Sequence, residues 1–289
     1  MQGSSRQDRL AETPRRQASN ATQANAETER LRKQHALMLH AMDGDLVRVP
    51  LTKHSPIRIL DSGTGDGTWL GDVAKRYPNA SLVGTDVDAS GFDQPRPELL
   101  PSRIELKTQS ILEPWPQEDQ EAYDLVHQRF VLALFSADKS EAAVKGLFGL
   151  VKRGGYIQLV ESDLTSFDRD GHRGMSMFMD FAAKAFPEAN LNNCPGRFSK
   201  DWLETAGAVD VETKQITCGM GAQADTPTLR EETTDHVITM IENIESITSR
   251  IPGYWYSRAD YQSLKDAVLQ EMEETGNTWR YWLATGRKA

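Results

Sequence analysis

The sequence predicts an α/β protein built on a doubly wound, mainly parallel sheet. Two observations carry that expectation. Residues 57–70 read I-R-I-L-D-S-G-T-G-D-G-T-W-L: a short apolar run, an acid, three glycines and the start of a helical pattern. From 57 to 161, β-branched apolar runs then alternate with helical or turn-rich stretches. We count four strand–helix repeats in that span, the pattern that puts helices on both faces of a parallel sheet.

Bulk properties narrow the function classes. The 289 residues carry a formal net charge of -9, which disfavours nucleic acid and anionic membrane surfaces as partners. No apolar run approaches the ~18 residues of a membrane span. The two cysteines, Cys194 and Cys218, are too few for a disulfide framework and suit a reducing, cytoplasmic setting. Residues 1–24 are rich in Gln, Ser, Ala, Asn and Arg and are expected to be a disordered tail without a secretory signal. Helical spacing from Ala26 to Met42 predicts a helix ended by Gly44 and Pro50, so 25–50 reads as an N-terminal helical segment. This helix has two expected places, the edge of the fold or the mouth of the ligand site. Its histidines, His35 and His40, read as packing or surface residues.

In the organising stretch, Ile57, Ile59 and Leu60 form a buried strand after Pro56, and Asp61 closes it. Gly63, Gly65 and Gly67 let the backbone approach a ligand, and Trp69, Leu70, Val73 and Ala74 start a helix whose free N–H groups face it. The pattern D-x-G-x-G-x-G differs from the dinucleotide G-x-G-x-x-G, because Thr68 stands where a third glycine would be. An acid just before the turn suits a ligand with a cationic ammonium, such as S-adenosylmethionine. The stretch resembles the first motif of class I S-adenosylmethionine-dependent methyltransferases. That resemblance implies a Rossmann-like, seven-stranded fold and a cofactor site at Asp61, Gly63, Thr64, Gly65 and Gly67.

Later elements add to the pattern. Ser81–Thr85 reads as the second strand, ending at Asp86, whose carboxylate can accept from both hydroxyls of a ribose. Val87 follows it in the same cofactor set, and Asp88 is the lesser candidate. Ile104, Leu106 and Thr108 alternate as a third strand, and Pro95, Pro97 and Pro101 mark loops before it. In the family an acid commonly meets the adenine amino group where Ser110 stands; here Ser110 and the Ile111 N–H would take that role. Tyr123–Gln128 is the fourth strand, and its end at Gln128 lies beside the cofactor's methionine portion in this fold. A helix from Ala142 to Val151, a turn K-R-G-G at 152–155 and a fifth strand Tyr156–Val160 ending at Glu161 follow. The turn matches the family's K-P-G-G except at Arg153. The wording of these motifs is similar to that of fungal secondary-metabolism enzymes, the gliotoxin- and sirodesmin-type N-methyltransferases.

Beyond 161 the chain leaves the bare fold. Gly174–Phe186 is too apolar all round for a surface helix; Met175, Phe178 and Phe181 read either as core or as a substrate wall. Val209–Ile216 reads as a sixth strand. Helical stretches at 227–250 and 257–275 form an insertion over the active site or a homodimer contact, with Trp255 and Tyr256 lining a lid. Thr278–Thr285 is the last strand, which the family inserts antiparallel between the fifth and sixth. The expected organisation is therefore a core over 51–219, an insertion over 220–276 and a closing strand over 277–289.

The implied activity is methyl transfer from S-adenosylmethionine to an N or O atom of a small molecule. Displacement at a sulfonium needs positioning, and a base only where the acceptor must lose a proton. His127, at the end of the fourth strand, is the candidate base; its other reading is a residue that orients the backbone beside the cofactor. Asp163, Asp168 and Asp170 could be imagined as a metal cluster, but no matching acids stand at the strand ends and no metal is expected. Two alternatives remain: a methyltransferase-like protein that catalyses a non-methylating rearrangement, and a regulatory methyltransferase-like protein.

Overall fold

The computed structural model describes residues 27–92 and 103–289. The tail expected over 1–24 and the prolines Pro95, Pro97 and Pro101 lie outside the described residues. Seven strands form one sheet: β1 Arg58–Ser62, β2 Ser81–Asp86, β3 Ile104–Thr108, β4 Tyr123–Arg129, β5 Val151–Ser162, β6 Val209–Met220 and β7 Asn277–Arg287. Their order is β3-β2-β1-β4-β5-β7-β6, with β7 antiparallel to both neighbours. The apolar runs are explained by burial on both faces. Along β1, β2 and β4, Ile59, Leu82 and Leu125 pack into one core, while the next residues, Leu60, Val83 and Val126, pack into the other.

Helices cover each face. Helix α1 (27–41), α2 (Thr68–Arg76), α4 (Arg173–Glu188), α6 (Pro227–Thr248) and α7 (Arg258–Glu274) feed the first core. Helices α3 (Ala137–Leu150) and α5 (Ser199–Thr205) feed the second. Two expectations are corrected. A helix does not follow every strand: among the described residues only single 3-10 turns, Ala89–Gly91 and Gln117–Asp119, follow β2 and β3. Before the second turn stands Glu113-Pro114-Trp115-Pro116, whose prolines lack the N–H a helix needs. Residues 152–155 are also not a free turn but the opening of β5. There the Gly154 N–H donates to the Lys288 carbonyl at 2.8 Å, and the Lys288 N–H to the Gly155 carbonyl at 3.0 Å. The end of β7 supplies those partners, and nothing local announces them.

The apolar helix α4 owes its position to α7. A Cβ on Gly174 would lie 2.6 Å from the Ala267 carbonyl oxygen, so the helices touch backbone to backbone there. Glu271 of α7 accepts from the Gly174 and Met175 N–H groups at 2.7 and 3.2 Å, satisfying donors that a helix start leaves open. In β5, Gln158 donates to the Leu46 carbonyl and accepts from the Arg48 N–H, both at 2.8 Å, tying the segment after α1 to the sheet.

At the end of β5, the buried Glu161 carboxyl organises the loop after β4. Its Oε1 accepts from the Gln128 side-chain amide at 2.6 Å, the Val131 N–H at 3.0 Å and the Leu132 N–H at 2.9 Å. Burial pushes this carboxyl from its ordinary 4.5 up to about 7, the three hydrogen bonds offsetting part of the effect.

Two outcomes follow from this packing. Gly174→Ala should destabilise the protein by ~1–3 kcal/mol, because the new methyl must push two helix backbones apart; the urea midpoint reads this. Between pH 4.5 and 7 the folded protein keeps a proton on Glu161 that the unfolded chain releases, so stability falls as pH rises through that window. The loss reaches up to ~3 kcal/mol. Glu161→Gln cannot ionise and should flatten the decline in melting temperature between pH 5 and 8.

Candidate active site

The sheet order reverses between β1 and β4, and open α/β sheets bind ligands outside the strand ends at such a point. In the β1–β4 register Asp61 lies opposite His127 and Ser62 opposite Gln128. Neighbours in register share a face of the sheet, so His127 and Asp61 meet: His Nδ1 stands 2.7 Å from Asp Oδ1. Trp69, in the first turn of α2, stacks on the imidazole with centroids 3.9 Å apart and planes 1° from parallel. Burial pushes the His127 imidazole below its usual value, and Asp61 opposes this only in part. The ring is therefore neutral near pH 7, and its Nδ1–H donates to the carboxylate.

The glycine turn follows at once. Gly63 and Gly65 have φ of +73° and +58°, which side chains disfavour. A Cβ at 63 would also lie 2.3 Å from Val131 Cγ2, and one at 65 would lie 2.8 Å from Leu31 Cδ1. The turn is thus sandwiched between the loop after β4 and helix α1. The Gly65 N–H donates to Asp86 Oδ2 at 2.9 Å, holding the β2 carboxylate against the turn.

One cavity of 530 Å³ opens along these strand ends. Ser62–Asp66, Asp86–Asp88 and Gln109–Ile111 line it on the β2–β3 side; Ser162, Trp279 and Tyr281 line it on the β5–β7 side. Arg129–Val131 lie between. Two helices roof it. From α1 come Leu31, Gln34 and His35; from α6 come His236, Thr239, Met240, Asn243, Ile244 and Ile247, one face at helical spacing. Of the two places expected for α1, the structure shows the mouth. His35 fastens it there: Nδ1 accepts from Arg129 Nη2 at 3.2 Å, and Nε2–H donates to Asp72 Oδ2 at 3.0 Å. That bond holds the Asp72 carboxyl down at about 2. Three buried polar atoms on residues of the wall, Thr64 Oγ1, Trp279 Nε1 and Tyr281 Oη, have no partner among the described residues.

Of the expected cofactor residues, Gly63, Thr64, Gly65, Asp86, Val87, Ser110 and Ile111 line this cavity. Asp61, Gly67 and Gln128 stand behind the wall, and Gln128 is spent on Glu161. His127, expected as a base, is also behind the wall, 1% exposed and sealed between Asp61 and Trp69. The substrate wall expected at Met175, Phe178 and Phe181 is corrected: these side chains are in the core under α7, because helix α4 packs on α7. Trp255 and Tyr256 pack on Phe181, with centroids at 6.4 and 4.7 Å, and do not reach the cavity. Asp163 is committed to Arg197 at 2.6 Å and the Trp282 indole at 3.2 Å. Sequence reasoning missed Tyr281, Trp279, His236 and Met240. The first two alternate inward along β7, a signal that was legible; nothing in α6 distinguished its roofing face.

Comparison with known proteins bears on this geometry. Residues 59–155 match the family model described as a methyltransferase domain. The chain is 35% identical over 274 residues to the N-methyltransferase tcpN of Claviceps purpurea (strain 20.1), covering 93% of this chain and 97% of that protein. It is 32% identical over 268 residues to the N-methyltransferase gliN of Aspergillus fumigatus, covering 91% and 93%. An O-methyltransferase family protein from Burkholderia thailandensis has the same fold, with a TM-score of 0.53 at 16% identity, over 95% of this chain and 62% of that one. No helix among the described residues is long and apolar enough to cross a membrane. With a glycine cradle at the switch point and relatives matched over nearly their whole length, this chain belongs to the S-adenosylmethionine-dependent methyltransferases of fungal secondary metabolism.

Proposed function

We propose that this enzyme methylates a nitrogen of an uncharged small molecule bound beside the β7 aromatics. The observation that carries the reading is the single cavity joining the glycine cradle to Trp279 and Tyr281. Its volume is typical of a small-molecule site. The cofactor fits the β2–β3 side. Asp61, just behind Ser62 and Gly63 in the wall, would draw the ammonium to the end of β1; Asp86 would take the ribose hydroxyls, and Ser110 and the Ile111 N–H the adenine edge, with exposed Val87 against the ring. When bound, S-adenosylmethionine supplies an electrophilic methyl group. The chain's own part is positioning and exclusion of water, and good orientation is worth up to ~7–11 kcal/mol.

The charge pattern supports an uncharged acceptor. Lining carboxylates are Asp66, Asp86 and Asp88 near the cradle and Glu27 on α1. Glu27 is held by both ends of the Arg30 guanidinium, at 2.8 and 2.6 Å. No carboxylate from α6 or β7 is among the lining residues to pair an ammonium substrate. The nitrogen preference follows the names of the relatives, tcpN and gliN, both N-methyltransferases. In this reading His127 is a positioning residue that orients Asp61, and the enzyme works in the cytoplasm, in keeping with two unpaired cysteines.

Titration calorimetry with S-adenosylmethionine tests the cradle. Asp86→Ala should weaken binding ~10–100-fold, the worth of hydrogen bonds to a charged group. His127→Phe keeps the stack on Trp69 but loses the donor to Asp61, and should weaken binding ~3–10-fold while also lowering the melting temperature, because the buried Asp61 carboxylate loses its partner. Unchanged affinity in Asp86→Ala would reject the assignment of the ribose. Product mass with an accepted substrate should rise by one methyl group; an unchanged mass would favour a rearrangement.

A further inference from the structure

His236 is unlike the other histidines. His35, His40, His127 and His172 each meet a carboxylate, at 3.0, 2.8, 2.7 and 3.2 Å, and His54 is exposed on a loop. His236 lines the cavity, and neither ring nitrogen has a hydrogen-bond partner among the described residues. It comes from the roofing face of α6, and its ring lies 5.5 Å from Trp279 at 32°. Trp279 in turn stacks on Tyr281 at 4.7 Å. The imidazole therefore stands on the β7 side of the cavity.

We infer that His236 is the group that takes the proton from the acceptor nitrogen during methyl transfer. The inference rests on the methyl-transfer reading above. As the nitrogen lone pair forms its bond to the methyl carbon, the carbon–sulfur bond breaks with its pair staying on sulfur. The N–H proton passes to a ring nitrogen of His236 and leaves to water when the roof opens.

The surroundings suit that role. The groups facing His236 are the Arg30 guanidinium of α1, the Trp279 indole and, beyond it, the Tyr281 phenol of β7. Burial, with the Arg30 cation adding to it, holds the imidazole down at about 4, so it is neutral with a lone pair free at pH 7. Burial also raises the Tyr281 phenol well above its usual value, which leaves it protonated and unable to compete as a base. A base this weak cannot deprotonate a resting ammonium. It can accept a proton from a poorly basic nitrogen that becomes strongly acidic as it is alkylated, which agrees with an uncharged acceptor.

The test uses the full chain with His236→Phe, which keeps a ring against Trp279, and His236→Gln, which keeps a polar group. The acceptor probes are uncharged N–H heterocycles of the indole, pyrrole and quinolone types, and S-adenosylhomocysteine release is followed. Expected are S-adenosylmethionine affinities within about twofold of wild type and kcat lowered ~100-fold or more in both variants. The residual rate should rise with pH, as hydroxide replaces the lost base, whereas the wild-type rate is flat above about pH 5. Independently of activity, the His236 resonance in a histidine-labelled NMR spectrum should titrate below pH 5 and shift when a probe joins the S-adenosylhomocysteine complex. Variants within threefold of wild type with the same pH profile, or a resonance titrating near 6.5, would overturn the assignment. Failure of wild-type enzyme to methylate any probe while binding S-adenosylmethionine would count instead against the uncharged-nitrogen reading beneath it.

Discussion

The site depends on the register between β1 and β4, which sets Asp61 beside His127 at the point where the sheet reverses. A carboxylate 3% exposed must be paired, and here a neutral imidazole does so at 2.7 Å while Trp69 fills the space behind it. A hydrogen bond to a charged group contributes ~1.5–3 kcal/mol, and losing it would leave a buried charge unsatisfied. A one-residue slip of β4 would send His127 to the opposite face of the sheet and undo the pair. The same register brings Arg129 and Val131 over the glycine turn, so the pair determines both the floor and one wall of the cavity.

What closes the cavity comes from the two ends of the chain. Helix α1 precedes the first strand, and α6 and β7 follow the sixth; all three converge on the same strand ends. Each is held by a different device: α1 by the Arg129–His35–Asp72 chain, α6 by its own apolar face in the first core, and β7 by insertion between β5 and β6. The division of chemistry follows from this. Carboxylates collect where the core strands end, and aromatic rings collect where β7 passes, so one cavity has a polar half and an apolar half.

Much of the cavity's glycine-turn side was legible in the residues. Acid and glycine spacing in Asp61–Gly67, the acid ending β2 and the strand-end positions of Ser110 and Ile111 are local patterns, and local patterns survive without knowledge of packing. The side beside β7 was not. Met175, Phe178 and Phe181 look like a ligand wall because apolar side chains on all sides of a helix demand cover; their cover is α7, reached through Gly174. His127 at a strand end looks like a base until its partner and the stacked Trp69 show it to be closed off from the cavity.

By itself, then, the sequence determined the sheet, the antiparallel last strand expected from the resemblance, and the glycine turn and strand-end residues that line one side of the cavity. These depend on period, turn chemistry and residue identity over short spans. Only the tertiary structure decided which histidine faces the cavity, which apolar residues line it and where the N-terminal helix lies. Those depend on contacts between residues far apart in the chain: His35 with Arg129, His236 with Trp279 and Asp61 with His127. A side chain's type states what it can do, and its neighbours across the fold decide whether a ligand can reach it.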